Sequence, residues 1–210
     1  MIPLLNAQQI THFAKNRFLE FEDVFSLAEC AQYQEAIRKT LQKRPSDIAW
    51  RSRDLWRDAP QLKSLILSRK CTTIASSLQS HTPLCIGCDQ WFDARFQLQK
   101  PTPIKDFFSI QGIELIFLIS PEAPPPHMTS KIGLFPFPRA AENLLIVHPQ
   151  LLLNLPACEH HGLYAIVYAK TPSVYVQNPS DPAGLWLKQF GYHYGDTLRH
   201  DTNPRLSFFN

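Results

Sequence analysis

The chain has 210 residues, a formal net charge of +3, 44% hydrophobic residues and 19% charged ones. That length allows one domain with a real core and is marginal for two, and the small net charge excludes a strong whole-molecule attraction to polyanions. Eighteen prolines against seven glycines fit short elements joined by stiff turns better than a long helical bundle.

The first eighty residues read as helical. Residues 1–6 lack a charged start followed by an apolar run, so no secretory signal is expected. Ser26 followed by Glu29 forms the pattern of a capping box, after which Leu27, Cys30, Gln34, Ile37 and Leu41 mark one face at helical spacing. Asp58-Ala59-Pro60 opens another helix, with proline near the first turn, where its missing N–H costs least. Its inward residues are expected to be Leu62, Leu65 and Ile66, and Cys71, Ile74, Ala75 and Leu78 continue helically after Ser68. Between Arg38 and Lys70 lie ten basic residues and three acidic ones. This block reads either as a phosphate-facing surface or as solvated helix faces, and the second reading is preferred.

The texture changes near Pro83. Leu84–Phe96 is rich in apolar and aromatic residues and reads as strand, as do the apolar runs Ile113–Ile119, Leu144–Val147 and Leu163–Tyr168. Ser173–Gln177 alternates like an edge strand. Asp181-Pro182 then caps a short helix with Leu185, Leu187 and Phe190 on one face, ending at Gly191. No apolar stretch is long enough to cross a bilayer, and no membrane partner is expected. Helices first, then six to eight strands, then one helix, argue for an α+β fold. We expect a double-stranded β-helix, or jelly roll, flanked by N-terminal helices in a single domain over 1–210. Residues 1–80 form the helical buttress, 83–178 the β core and 181–210 a C-terminal helix and tail.

Three clusters bear on chemistry. Cys85 and Cys88 form a Cys-x-x-Cys, but no second pair repeats the spacing and the motif lies in a strand pattern, so two buried strand cysteines are the preferred reading. The odd count of five cysteines (Cys30, Cys71, Cys85, Cys88, Cys158) and the chain length point away from disulfide staples and towards a reducing, cytoplasmic setting. Cys158-Glu159-His160-His161 is the densest set of candidate ligands, to which His127 or His148 could add a third. Neighbouring side chains on extended backbone point apart, so a polar turn is preferred. His193, Asp196, His200 and Asp201 read as a polar closing segment.

Phe18–Cys30, Arg53–Pro60, Cys88–Phe92, Val174–Pro182 and Gly191–Asp196 together resemble, in order, segments of phytanoyl-CoA dioxygenase-like proteins, which carry the fold of Fe(II)/2-oxoglutarate oxygenases. The resemblance implies a His-x-Asp/Glu pair and a distal His on iron, and an arginine that pairs with 2-oxoglutarate. The corresponding register lays Ile104-Lys105-Asp106 on the first motif, Leu153 on the distal His and Leu163 near the arginine. None of the eight histidines is followed two places on by Asp or Glu. The resemblance therefore implies the fold without the activity, with no catalytic, cofactor-binding or metal-binding residue carried over and no cofactor expected. A binding or regulatory role follows, with a small acidic ligand in the β core as the expected partner. Two alternatives stand beside it. A similarity to divalent cation-dependent regulators implies a DNA-binding role for the basic block. An oxygenase with an unorthodox ligand set would draw on Asp106, His127, His148 or His161.

Overall fold

The structure, a computed structural model, describes residues 5–46, 50–79, 82–92, 101–122, 138–153 and 162–206. Four helices come from the first eighty residues: α1 (Ala7–Asn16), α2 (Leu27–Lys43), α3 (Pro60–Ile66) and α4 (Arg69–Leu78). Each begins where local chemistry satisfies its first free N–H groups. In α2, the Ser26 hydroxyl accepts from the Glu29 N–H at 3.2 Å and the Glu29 carboxylate accepts from the Ser26 N–H at 2.8 Å. Asn6 and Gln9 build the same reciprocal cap on α1, Pro60 occupies the first turn of α3, and Ser68 caps α4. On α2, Cys30, Tyr33, Ala36, Ile37 and Thr40 face inward. Leu27, expected on that face, is 68% exposed, because it sits in the first turn before the helix reaches the core.

Seven strands are described: β1 (Phe18–Phe21), β2 (Leu84–Phe92), β3 (Thr102–Pro103), β4 (Ile110–Ile119), β5 (Leu144–Val147), β6 (Leu152–Leu153) and β7 (Leu163–Tyr175). Five form an antiparallel sheet in the order β1-β5-β4-β7-β2, and β3 pairs with β6. Residues 93–96, expected to extend β2, lie outside the described residues. Ser173–Gln177 is no separate edge strand. Its first half continues β7, where Val174 and Tyr175 pair with Gln111 and Ile110 of β4, and Val176 donates to Ser109. The alternation there reflects a strand leaving the centre of the sheet rather than one bordering solvent.

The sheet is covered on both faces, which explains the continuous apolar runs. Leu115, Phe117, Ile119, Leu144, Ile146, Tyr164, Ile166 and Tyr168 pack against the N-terminal helices. On the opposite face, Ile116, Leu118, Leu145, Val147, Leu163, Ala165 and Val167 pack with Ile104, Phe107, Phe108 and the C-terminal segment. That segment is a turn followed by a 3-10 helix, Trp186–Phe190, closed by Gly191 in the left-handed region. Leu185, expected to face inward, is 63% exposed, and Trp186 and Leu187 are the buried pair. The tighter 3-10 winding shifts the apolar face by one residue relative to the helical expectation.

The outer edge of β2 is not left open. Trp91 donates to Ser52, and Asp54 donates to the Asp89 carbonyl. At the other end, Ile86 donates to Pro204 and Leu206 to Leu84. Segments from both ends of the chain thereby cover the exposed side of this strand.

Candidate functional site

The β3–β6 pair places the residues that the resemblance aligned with an iron centre. Thr102 lies opposite Leu153 and Pro103 opposite Leu152, and the Ile104 N–H donates to the Leu151 carbonyl at 2.9 Å. Position 104 therefore lies beside 151, whereas 153 lies beside 102, two places further along the same strand pair. Ile104 is fully buried among Phe107, Phe108 and Leu163, and Leu163 lies at the start of β7 opposite Phe92. Ile104 and Leu163 are hydrocarbon side chains, and among the described residues they belong to one apolar cluster with Phe107 and Phe108. Between these layers, a void of about 10 Å³ bordered by Arg53, Cys88, Ser109 and Asp181 has room for roughly one water molecule.

The polar residues of the interior form a buried ionic seam. The Arg53 guanidinium donates to both oxygens of Asp181 at 2.9 and 3.3 Å, to Gln90 at 2.8 Å and to the Phe107 carbonyl at 2.9 Å, and lies 4.9 Å over the Phe108 ring. Burial opposes its charge, but Asp181 more than compensates and its pKa is raised. Asp181 also accepts the N–H groups of Ser109 and Ala183. Beside it, Asp54 accepts from the indoles of Trp56 and Trp186 and from Arg57 at 2.8 Å. Asp89 accepts the N–H groups of Leu55 and Trp56 and the Tyr164 hydroxyl. Burial, and then the neighbouring Asp54, push the Asp89 carboxyl up to about 7. Every charge here has bonded partners inside the protein, so the seam ties the first helical region, β2 and the C-terminal turn together.

This seam changes the reading of the basic block. Arg44 and Arg53 are buried, and Arg44 donates to Asp58 at 2.6 and 2.9 Å and to the Arg51 and Arg53 carbonyls. Arg51 donates to the Leu41 carbonyl, Arg57 to the Thr202 carbonyl, and Lys70 to Glu29. Arg38 and Lys39 pair with Glu35 on the surface of α2. The block is thus divided: Arg44, Arg51, Arg53, Arg57 and Lys70 bond to carbonyls and carboxylates of the chain itself, whereas Arg38, Lys39, Lys43, Lys63 and Arg69 are exposed. An inward arginine cannot be told from an outward one by charge count. The usable signal was Asp89, a carboxylate set within the apolar strand pattern Leu84–Phe92.

A groove of about 390 Å³ lies at the other end of the main sheet. β5 ends at Val147 opposite Ile116, so β4 between Ile110 and Leu115 has no β5 partner. The turn 148–150 and the run 176–178 border the gap, and Lys105, Asp106, Gln111 and His148 line it. Asn178 fixes one wall by donating to the Asp106 and Phe108 carbonyls. Gly112 (φ +103°) bends β4 here, and a side chain at that position would meet Ser173 Oγ at 2.3 Å. His148 Nδ1 accepts from the Gln150 N–H at 3.2 Å. Burial, then Arg17 and Lys105, lower the His148 pKa.

Of the residues proposed for an unorthodox ligand set, Asp106 and His148 share this groove, whereas His127 and the Cys158-Glu159-His160-His161 cluster lie outside the described residues. Among the described residues, no group of three or more His, Cys, Asp or Glu gathers to hold a metal. Cys85 and Cys88 are free, buried thiols. The bulge at Gly87 turns both onto the same apolar face, and burial raises both pKa values. His193 and Asp196 lie 3.6 Å apart on the surface, in a closing turn.

No protein-family model matches the chain, and no curated protein sequence matches it. Solved structures do. The non-heme alpha ketoglutarate dependent carbocyclase SnoK of nogalamycin biosynthesis superposes with a TM-score of 0.72 at 15% identity, covering 97% of each chain. The alpha ketoglutarate dependent epimerase SnoN gives 0.68 at 14% identity over 95% of this chain and 98% of its own. CytC3, solved with Fe(II) and alpha-ketoglutarate, gives 0.61 at 12% identity over 83% and 80%. At such identities the likeness speaks for the fold: the chain is an α+β jelly roll of the kind these non-heme, alpha-ketoglutarate-dependent enzymes share.

Proposed function

We propose that this chain is a non-catalytic relative of Fe(II)/2-oxoglutarate oxygenases of the phytanoyl-CoA dioxygenase-like type, acting as a binding or regulatory protein for a small acidic ligand. One observation supports the reading: on the β3–β6 pair, which carries the positions that the resemblance aligns with an iron centre, buried Ile104 supplies hydrocarbon where that register calls for an imidazole. A leucine at 163, buried at the start of β7, removes the cation that would hold the far carboxylate of 2-oxoglutarate. The neighbours' iron and alpha-ketoglutarate belong to those proteins. Here the same architecture supports binding without turnover.

Anaerobic Fe(II) titration of the purified protein, paired with an assay for 2-oxoglutarate-dependent succinate release, tests this. Neither stoichiometric iron binding nor succinate is expected, and finding both would overturn the proposal. A DNA-binding regulator is the weaker reading, because the arginines it would use are bonded within the chain. A gel shift at low salt, where nonspecific affinity is greatest, would restore it. We also read residues 1–210 as one domain, since the seam and the β2 edge join N- and C-terminal segments. The cytoplasm is the compartment proposed, supported by the free thiols Cys30, Cys71, Cys85 and Cys88. No described helix is long and apolar enough to cross a membrane.

A further inference from the structure

We propose that the groove between β4, the 148–150 turn and residues 176–178 is an oxyanion-binding site, in which Lys105 and His148 hold a carboxylate or phosphate group of a small metabolite. The inference rests on the reading of the chain as a binding protein and gives that ligand a place.

The site follows from how the chain is tied. The His148 N–H donates to the Arg17 carbonyl at 2.8 Å, and the Lys105 N–H donates to the Pro149 carbonyl at 3.1 Å. These two backbone bonds pin the turn between the start of β1 and the 3-10 helix that carries Lys105. Three groups from distant parts of the sequence, Arg17, Lys105 and His148, are thereby drawn to one end of the sheet. Arg17 and Lys105 are near enough to His148 to disfavour its protonation.

The state of His148 is set by its neighbours. Its Nδ1 is taken as an acceptor by the Gln150 N–H. Both this bond and the adjacent cations keep the ring neutral at pH 7, which leaves Nε2–H as a donor. Lys105 is half-buried and, among the described residues, makes no ion pair with a carboxylate. A half-buried ammonium and an imidazole N–H lining one groove are both donors, and they favour an acceptor with negative charge. Asp106 is the acidic residue of the groove lining. Its carbonyl is engaged by Asn178. Against this one carboxylate stand Lys105 in the lining and Arg17 close enough to act on His148, so the local balance is positive, which argues against a divalent cation and for an anion. The groove, at about 390 Å³, suits a small metabolite, whereas the void beside Arg53 and Asp181 holds about one water molecule.

The test uses the full chain with 13C,15N-labelled histidine, in a chelator-containing buffer at pH 7. The His148 ring signals are followed during titration with inorganic phosphate and, separately, with succinate. A saturable shift with a Kd near or below about 1 mM in at least one arm is expected, and the arm that saturates tells phosphate from carboxylate. Lys105→Ala should weaken binding about tenfold or more, and His148→Gln, followed through backbone signals of the 148–150 turn, should weaken it as well. Lys15→Ala, a cation removed on α1, should leave it unchanged. Absence of a saturable shift in both arms overturns the proposal, as does undiminished binding by Lys105→Ala. Saturable broadening of His148 by Mn2+ in chelator-free buffer, tighter than either anion, also overturns it. Because no iron is present, failure here leaves the Fe(II) titration of the parent reading untouched, and the reverse also holds.

Discussion

The protein holds its interior charges in two contrasting ways. In the seam, Arg53, Asp54, Asp89 and Asp181 are almost wholly buried, and each is bonded to side chains or backbone of its own chain. In the groove, Lys105 and His148 are half-buried and present donors to open space. The contrast separates structure from function by the fate of hydrogen-bonding capacity. A desolvated charge whose partners are all internal has nothing left to offer a ligand, while a partly desolvated donor without an internal acceptor does. Arg44, Arg51 and Arg53 of the basic block are thus consumed by the fold.

Arg53→Ala gives the largest effect expected from this contrast. It strands the Asp181 carboxylate in a dry interior and should cost about 3–5 kcal/mol in denaturant unfolding, whereas Arg53→Met combined with Asp181→Leu should cost clearly less. Equal losses for the two variants would mean that the ion pair is not what holds the seam.

The pH dependence of the seam comes next. Asp89 binds its proton more tightly folded than unfolded, with a carboxyl raised from 3.8 to about 7. Its contribution is therefore fully present below pH 4, is lost as pH rises towards 7, and is flat above. At about 1.4 kcal/mol per pH unit, the loss reaches at most roughly 4 kcal/mol. Unfolding free energies from pH 4 to pH 8 should show this decline in the native protein and a shallower one in Asp89→Asn.

Asn203→Ala probes the C-terminal end of the same region. Its amide donates to the Ile86 and Gly87 carbonyls at 2.8 and 2.9 Å beside the β2 bulge. Leaving both unsatisfied should cost about 2 kcal/mol, read as a shift in the denaturation midpoint. The smallest change is expected in the groove. Lys105→Ala should alter stability by less than about 0.5 kcal/mol while weakening anion binding about tenfold or more. A large destabilisation there would make Lys105 part of the framework and erase the contrast.

Much of the architecture is legible in the sequence. The Ser26–Glu29 cap, proline at the start of α3, and the four apolar runs that became β2, β4, β5 and β7 are local signals, and local hydrogen bonding or burial on both faces explains each. That Ile104 and Leu163 carry no donor group is equally local, because it concerns residue type alone. What the sequence missed depends on distance in space. Leu27 and Leu185 match an apolar periodicity yet point to solvent, since periodicity does not say where a helix meets the core. Asp54 and Asp181 lie 127 positions apart in the chain yet belong to one seam, and Arg17, Lys105 and His148 meet at one groove.

The amino-acid order by itself determined most of the helical and strand segments and that the side chains at 104 and 163 cannot ligate iron or grip an acid, because hydrogen-bond caps, side-chain periodicity and donor chemistry act over a few residues. Only the tertiary structure decided which charges are internal ties and which remain open to a ligand. That outcome turns on desolvation and on partners contributed by strands and turns far apart in the chain.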